Sequence, residues 1–97
     1  MGVDLEFSGE VVEWRGPAPH HFVALPADQA ERVHEVSRLA TYGWGCIPVE
    51  GSVGGTAFTT SLIPRDGGYL LPLKVAVRRR EDIALGDTVT VHLHVDV

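Results

Sequence analysis

Gly68-Tyr69-Leu70-Leu71-Pro72-Leu73 decides the fold, because an earlier stretch, His21-Phe22-Val23-Ala24-Leu25-Pro26, has the same form. Each is a short apolar run of β type that meets a proline and then a helical pattern. Each helical pattern closes at a glycine followed by a further β-type run. These are Gly45-Cys46-Ile47-Pro48-Val49 after the first and Gly86-Asp87-Thr88-Val89-Thr90-Val91 after the second. A strand–proline–helix–glycine–strand unit met twice in one chain predicts two like halves that close one barrel about a pseudo-two-fold axis.

Upstream of the first unit, Val3 to Trp14 predicts a strand. Leu5, Phe7 and Val11 share one face at period two, and Asp4, Glu6, Ser8 and Glu10 take the other. Val12 and Trp14 fall on the polar phase, which predicts either a bulge at Gly9 or a strand end covered on both faces. Arg15-Gly16-Pro17-Ala18-Pro19 is a stiff loop, since its prolines fix φ and remove donors. From about Pro26 to Ala40, the positions Ala30, Val33, Val36 and Ala40 recur at helical spacing, and Pro26 suits the first turn.

Further along, Cys46–Val53 and Thr56–Ile63 predict a hairpin about Gly54-Gly55, with Ile47, Val49 and Val53 facing Phe58 and Leu62. Pro64 to Gly68 reads as a turn, Tyr69 to Leu71 as a short strand, and Lys74 to Arg80 as a short basic helix. In Thr88 to Val95, the residues Val89, Val91, Leu93 and Val95 point inward, and Thr90, His92, His94 and Asp96 outward. The expected fold is mainly β (a β-rich α+β domain). It is a single pseudo-symmetric double-split β-barrel over residues 1–97, with one long α-helix and one short helix.

Composition narrows the function classes. At 97 residues and 44% hydrophobic content, the chain has enough apolar material for one small core. The single cysteine, Cys46, cannot form an internal disulfide, and the absence of a secretory apolar segment predicts a cytoplasmic protein. No apolar run approaches the ~20 residues of a membrane span. Eight Lys and Arg against 13 Asp and Glu leave a charge of −5, which works against binding dominated by phosphate contacts. Lys74 with Arg78-Arg79-Arg80 is a local basic cluster.

The candidate ligand site combines aromatic and basic residues: Trp14, Arg15, Trp44, Tyr69, Lys74 and Arg78. Packing of the two halves would gather indole walls and one or two cations able to orient a carboxylate or phosphate. Cys46 has no evident cationic neighbour and reads as a buried, inert thiol. Ser61 lies in a hairpin and lacks the strand–turn–helix elbow of a catalytic serine. His20 and His21 point to opposite faces of a strand, and His92 and His94 read as surface histidines with Asp96 as the nearby carboxylate. No acid–base or nucleophile constellation emerges, so no catalytic residue, metal or cofactor is assigned. The expected role is a non-enzymatic module for a small ligand or a protein partner. The competing role is DNA or RNA contact through Lys74, Arg78, Arg79 and Arg80. A monomer is permitted, and a homodimer is not forbidden.

Several motifs taken together carry a family resemblance: Gly9-Glu10-Val11-Val12-Glu13-Trp14-Arg15-Gly16-Pro17-Ala18-Pro19, Gly43-Trp44-Gly45, Gly54-Gly55-Thr56, Thr60-Ser61-Leu62, Gly67-Gly68-Tyr69-Leu70-Leu71-Pro72 and Gly86-Asp87-Thr88-Val89. In this order they resemble a small bacterial domain-of-unknown-function family, found alone or fused to bacteriocin-protection-type domains. The resemblance implies a double-split β-barrel and carries no established catalytic residues. The chain departs from the family pattern at His20 and His21, where members often have a large aromatic. Leu71-Pro72 to Val91 also resembles the swapped-hairpin DNA-binding domains of transition-state regulators and antitoxins. Those build one barrel from two chains, whereas this chain carries both halves.

Overall fold

A computed structural model of the chain describes residues 2–14, 20–39 and 46–96. Its elements are β1 (Gly2–Trp14), β2 (His20–Ala24), α1 (Ala27–Leu39), β3 (Ile47–Val53), β4 (Thr56–Arg65), β5 (Gly68–Leu73), α2 (Val75–Arg80) and β6 (Thr88–Asp96). The six strands close an antiparallel barrel in the order β1-β2-β5-β4-β3-β6. Exchanging β1 with β4, β2 with β5 and β3 with β6 leaves that ring unchanged.

The barrel has two walls, and β1 and β4 belong to both. Residues 2–10 of β1 pair with β6, and from Val11 onward the same strand pairs with β2. Likewise β4 pairs with β3 as far as Leu62 and with β5 from Ile63. The β1–β6 register runs without interruption from Gly2↔Asp96 to Glu10↔Thr88, so the bulge expected at Gly9 does not form. Gly9 serves close approach instead: a Cβ there would lie 2.7 Å from Val23 Cγ1.

Leu5, Phe7 and Val11 of β1 point inward and pack with Val23, Leu71, Ile47, Leu62 and the inward row Val89, Val91, Leu93 and Val95 of β6. Ala30 and Val33 of α1 join the same core, and Ser37 is buried with its Oγ donating to the His34 carbonyl at 2.8 Å. Phe58, expected in the core, is only partly buried. It lies over Gly51, where a Cβ would come within 2.8 Å of the ring, so the glycine makes room for the aromatic. The described residues have a radius of gyration of 12.7 Å, and no helix among them is long and apolar enough to cross a membrane.

Two boundaries differ from the sequence expectation. The turn between β4 and β5 is only Asp66-Gly67, with φ of 51° and 77°, the primed geometry that a tight hairpin demands. Pro64 and Arg65 therefore belong to β4 and Gly68 to β5. Pro72 also lies within β5, opposite Phe22, and α2 starts after Lys74. β4 pairs only with Gly68, Tyr69 and Leu70, so the missing N–H of Pro72 falls beyond that ladder.

Candidate functional site

The outer faces of the two walls have opposite chemistry. On the β1–β6–β3 wall, the outward rows are Asp4↔His94↔Glu50 and Glu6↔His92↔Ser52, followed by Ser8↔Thr90. On the β1–β2–β5–β4 wall, Val11↔Val23↔Leu71 is an inward row, so the rows on either side of it face out: Val12↔Phe22↔Pro72 and Ala24↔Leu70↔Ile63. All six of these outward side chains are apolar. Val12 is 45% exposed, whereas its register partner Phe22 is 3% exposed.

A groove of about 580 Å³ lies over this apolar wall. Val12, Phe22, Ala24, Leu25 and Leu70 line it, together with Gly68 and Tyr69, and Glu13, Arg65 and Asp66 supply its charged groups. Arg65 and Gly68 reach it because they flank the two-residue turn, and Arg65 Nε lies 3.4 Å from Asp66 Oδ2. The volume falls in the range of small-molecule sites, and the lining combines apolar surface with a few polar groups, as such sites do.

The structure separates the residues expected to form the ligand site. Tyr69 is 2% exposed and belongs to the core, with its hydroxyl 3.4 Å from His34 Nδ1. Lys74 is the exposed residue preceding α2, at the other end of β5. The five residue steps from one to the other span about 16 Å of extended chain. Arg78 sits near Lys74, where its Nε donates to the Leu73 carbonyl at 3.2 Å and its Nη1 lies 3.5 Å from His21 Nε2. Trp14 closes the β1–β2 ladder opposite His20, in the row next to Glu13↔His21↔Leu73, so its backbone lies toward the Lys74 end. The Trp14 side chain, Arg15 and Trp44 lie outside the described residues. Arg79 and Arg80 of the basic cluster are exposed on α2.

Cys46 is exposed, contrary to the buried thiol expected, because it precedes β3 and is not one of its inward positions. The carboxylates nearest His92 and His94 are also not those expected from period alone. Cross-strand register sets Asp4 opposite His94, with Asp4 Oδ1 2.7 Å from His94 Nδ1, and Glu6 opposite His92, with Glu6 Oε2 3.8 Å from His92 Nδ1. The hydrogen bond to Asp4 holds the His94 imidazole above its usual range; desolvation opposes it, and the charges of Asp4, Asp96 and Glu50 add to the rise. Among the described residues no three His, Cys, Asp or Glu side chains gather as a metal site.

Apart from Tyr69, the groove-lining Val12, Phe22, Ala24, Leu25 and Leu70 carry neither an indole nor a cation, the features that mark a site in the sequence. The usable signal is that Phe22–Leu25 and Leu70–Leu73 are apolar on both strand phases, where a strand facing water on one side alternates.

A closed six-stranded antiparallel barrel with one polar and one apolar outer wall is thus the class of molecule. Residues 7–93 match the family described as Domain of unknown function (DUF1905), and the chain belongs to that family. None of the curated proteins compared with the sequence matches it.

Proposed function

We propose that the protein is a non-enzymatic binding module that takes a small, largely apolar ligand on the outer face of the β1–β2–β5–β4 wall. One observation carries this reading: two adjacent outward rows, Val12↔Phe22↔Pro72 and Ala24↔Leu70↔Ile63, are wholly apolar beneath a groove of about 580 Å³. The outward rows Asp4↔His94↔Glu50 and Glu6↔His92↔Ser52 of the opposite wall are polar, so the barrel itself does not require apolar rows outside.

Size favours a small ligand over a protein partner. Four strands and two rows cover roughly 20 by 13 Å, or about 250 Å². A stable protein interface needs about 800 Å² from each side. The groove's described lining offers contact area and charge, with no Ser, Cys or His from which to build a nucleophile–base pair.

A thermal-shift screen of neutral and charged aromatic and aliphatic compounds tests the reading. A ligand at a hundred-fold excess over its dissociation constant stabilises by about 2.7 kcal/mol, roughly 10 °C or more in a domain of this size. The expected result is a hit among apolar compounds that is lost in Val12→Glu, a substitution at an exposed position that leaves the fold intact. Short nucleic acids serve as the comparison. A shift produced by them, steeply weakened by salt, would favour the Lys74 and Arg78–Arg80 end instead.

A further inference from the structure

The outward face of β5 continues beyond the two apolar rows. Pro72, Leu70 and Gly68 share one phase, so the next outward row is Gly68↔Arg65. There the wall meets α1, because a Cβ on Gly68 would lie 4.0 Å from Ala30 Cβ. Ala27, Ala30, Glu31 and His34 of α1 stand at the i, i+3, i+4 and i+7 spacing of a single helix face. That face and the Asp66–Gly68 turn line a second cleft of about 470 Å³. Leu25, Asp66 and Gly68 line both the cleft and the groove, so the two adjoin at the turn. Gly68 brings no side chain to the junction. From the Pro72 row to the Gly68 row is about 13 Å of strand, and Ala30 to His34 adds about 6 Å of helix.

The two ends differ in chemistry. Val12, Ala24 and Leu70 offer hydrocarbon at the wall end. The cleft offers the Glu31 and Asp66 carboxylates and the half-buried His34, whose Nδ1 lies 3.4 Å from the Tyr69 hydroxyl. Among the described residues no Lys or Arg lines the cleft. Asp66 Oδ2 lies 3.4 Å from Arg65 Nε, which leaves Glu31 to set the preference there. Resting on the groove reading above, we infer that the ligand is an unbranched amphiphile lying across both compartments. Its aliphatic chain covers Val12, Ala24 and Leu70 and passes Gly68, and a hydrogen-bond-donating head, hydroxyl or ammonium, meets Glu31. A carboxylate head would face another carboxylate and be disfavoured.

Hexan-1-ol, decan-1-ol, decylammonium and decanoate, each below its micelle concentration, separate length from head group when titrated into the ¹⁵N-labelled protein. Hexan-1-ol should move the amides of Val12, Ala24 and Leu70. Decan-1-ol and decylammonium should move these together with Glu31 and His34, at one dissociation constant. Gly68→Val fills the junction, and Ala27→Leu, at an exposed position, fills the cleft. A buried methylene is worth about a fourfold gain in affinity, so each variant should weaken decan-1-ol by about tenfold or more and leave hexan-1-ol unchanged. Decan-1-ol and decylammonium should bind about threefold more tightly than decanoate at low salt, the scale of one exposed charge, and Glu31→Gln should remove most of that difference. An excess of decylammonium over decan-1-ol that salt erases assigns the head as ammonium, and parity assigns it as hydroxyl. Ten-carbon probes that move the wall amides alone, with unchanged affinity in both variants, overturn the extended site and leave the groove standing on hexan-1-ol. Equal or tighter binding of decanoate overturns the donor head. Failure of every probe to move the wall amides overturns both readings.

Discussion

His94 Nδ1 lies 2.7 Å from Asp4 Oδ1, joining the last strand of the barrel to the first across the β1–β6 ladder. The bond raises the pKa of His94 above the ordinary histidine value, against desolvation and with help from the Asp4, Asp96 and Glu50 charges. A group with a raised folded pKa contributes stability that is fully present below its unfolded pKa and is lost as pH rises through the folded one. Melting temperature should therefore fall as pH increases through the range just above 6.5. His94→Gln and Asp4→Asn should each flatten that slope. An unchanged slope in both variants would remove the pair from the account. The side chains are exposed, so the effect is small and should shrink in high salt.

Gly51 lies beneath Phe58 and beside Leu93 on the inward face of β3. A Cβ at this position would stand 2.8 Å from Phe58 Cζ and 2.9 Å from Leu93 Cδ2. Gly51→Ala should destabilise by about 1–3 kcal/mol, as overpacking does. Phe58→Leu in the same background should recover part of the loss, giving a coupling measurable by urea denaturation of the four variants. Simple additivity would mean that the two residues do not share this space.

Leu71 and Val12 test which rows face in. Leu71 is fully buried between Val23 and the rest of the core, so Leu71→Ala should cost about 2–5 kcal/mol. Val12 is on the outer face, and Val12→Ala should change stability by no more than about 0.5–1 kcal/mol. Equal losses at the two positions would contradict the register of the apolar wall.

Much of the fold was readable from residue order. Alternation in Thr88–Asp96 sets four apolar side chains inward, Gly54 at φ 59° turns the β3–β4 hairpin, and α1 follows its 3.6-residue period. Val12 shows where local reading stops. Its phase never changes; rather, β1 exchanges β6 for β2 as its partner after Glu10, so the same outward phase passes from a polar wall to an apolar one. The same crossing in β4 leaves Thr59 outside one wall and Ile63 outside the other. A strand shared by two walls looks, in sequence, like a fault in its pattern. For the same reason Asp4 and Glu50 could not be matched to His94: they are 90 and 44 positions away and meet it only through strand pairing. Nor could spacing along the chain show that Tyr69 and Lys74 stand at opposite ends of one strand.

The central claim is that the apolar outer wall is the binding surface. Its most direct test is amide chemical-shift mapping of the ¹⁵N-labelled protein against a library of small apolar compounds. The account predicts that hits perturb Val12, Ala24, Leu70 and Gly68 together, and that Val12→Glu abolishes them while the rest of the spectrum stays folded. Hits confined to the Lys74 and Arg78–Arg80 end, or to the outer face of β6 around His92 and His94, would contradict it.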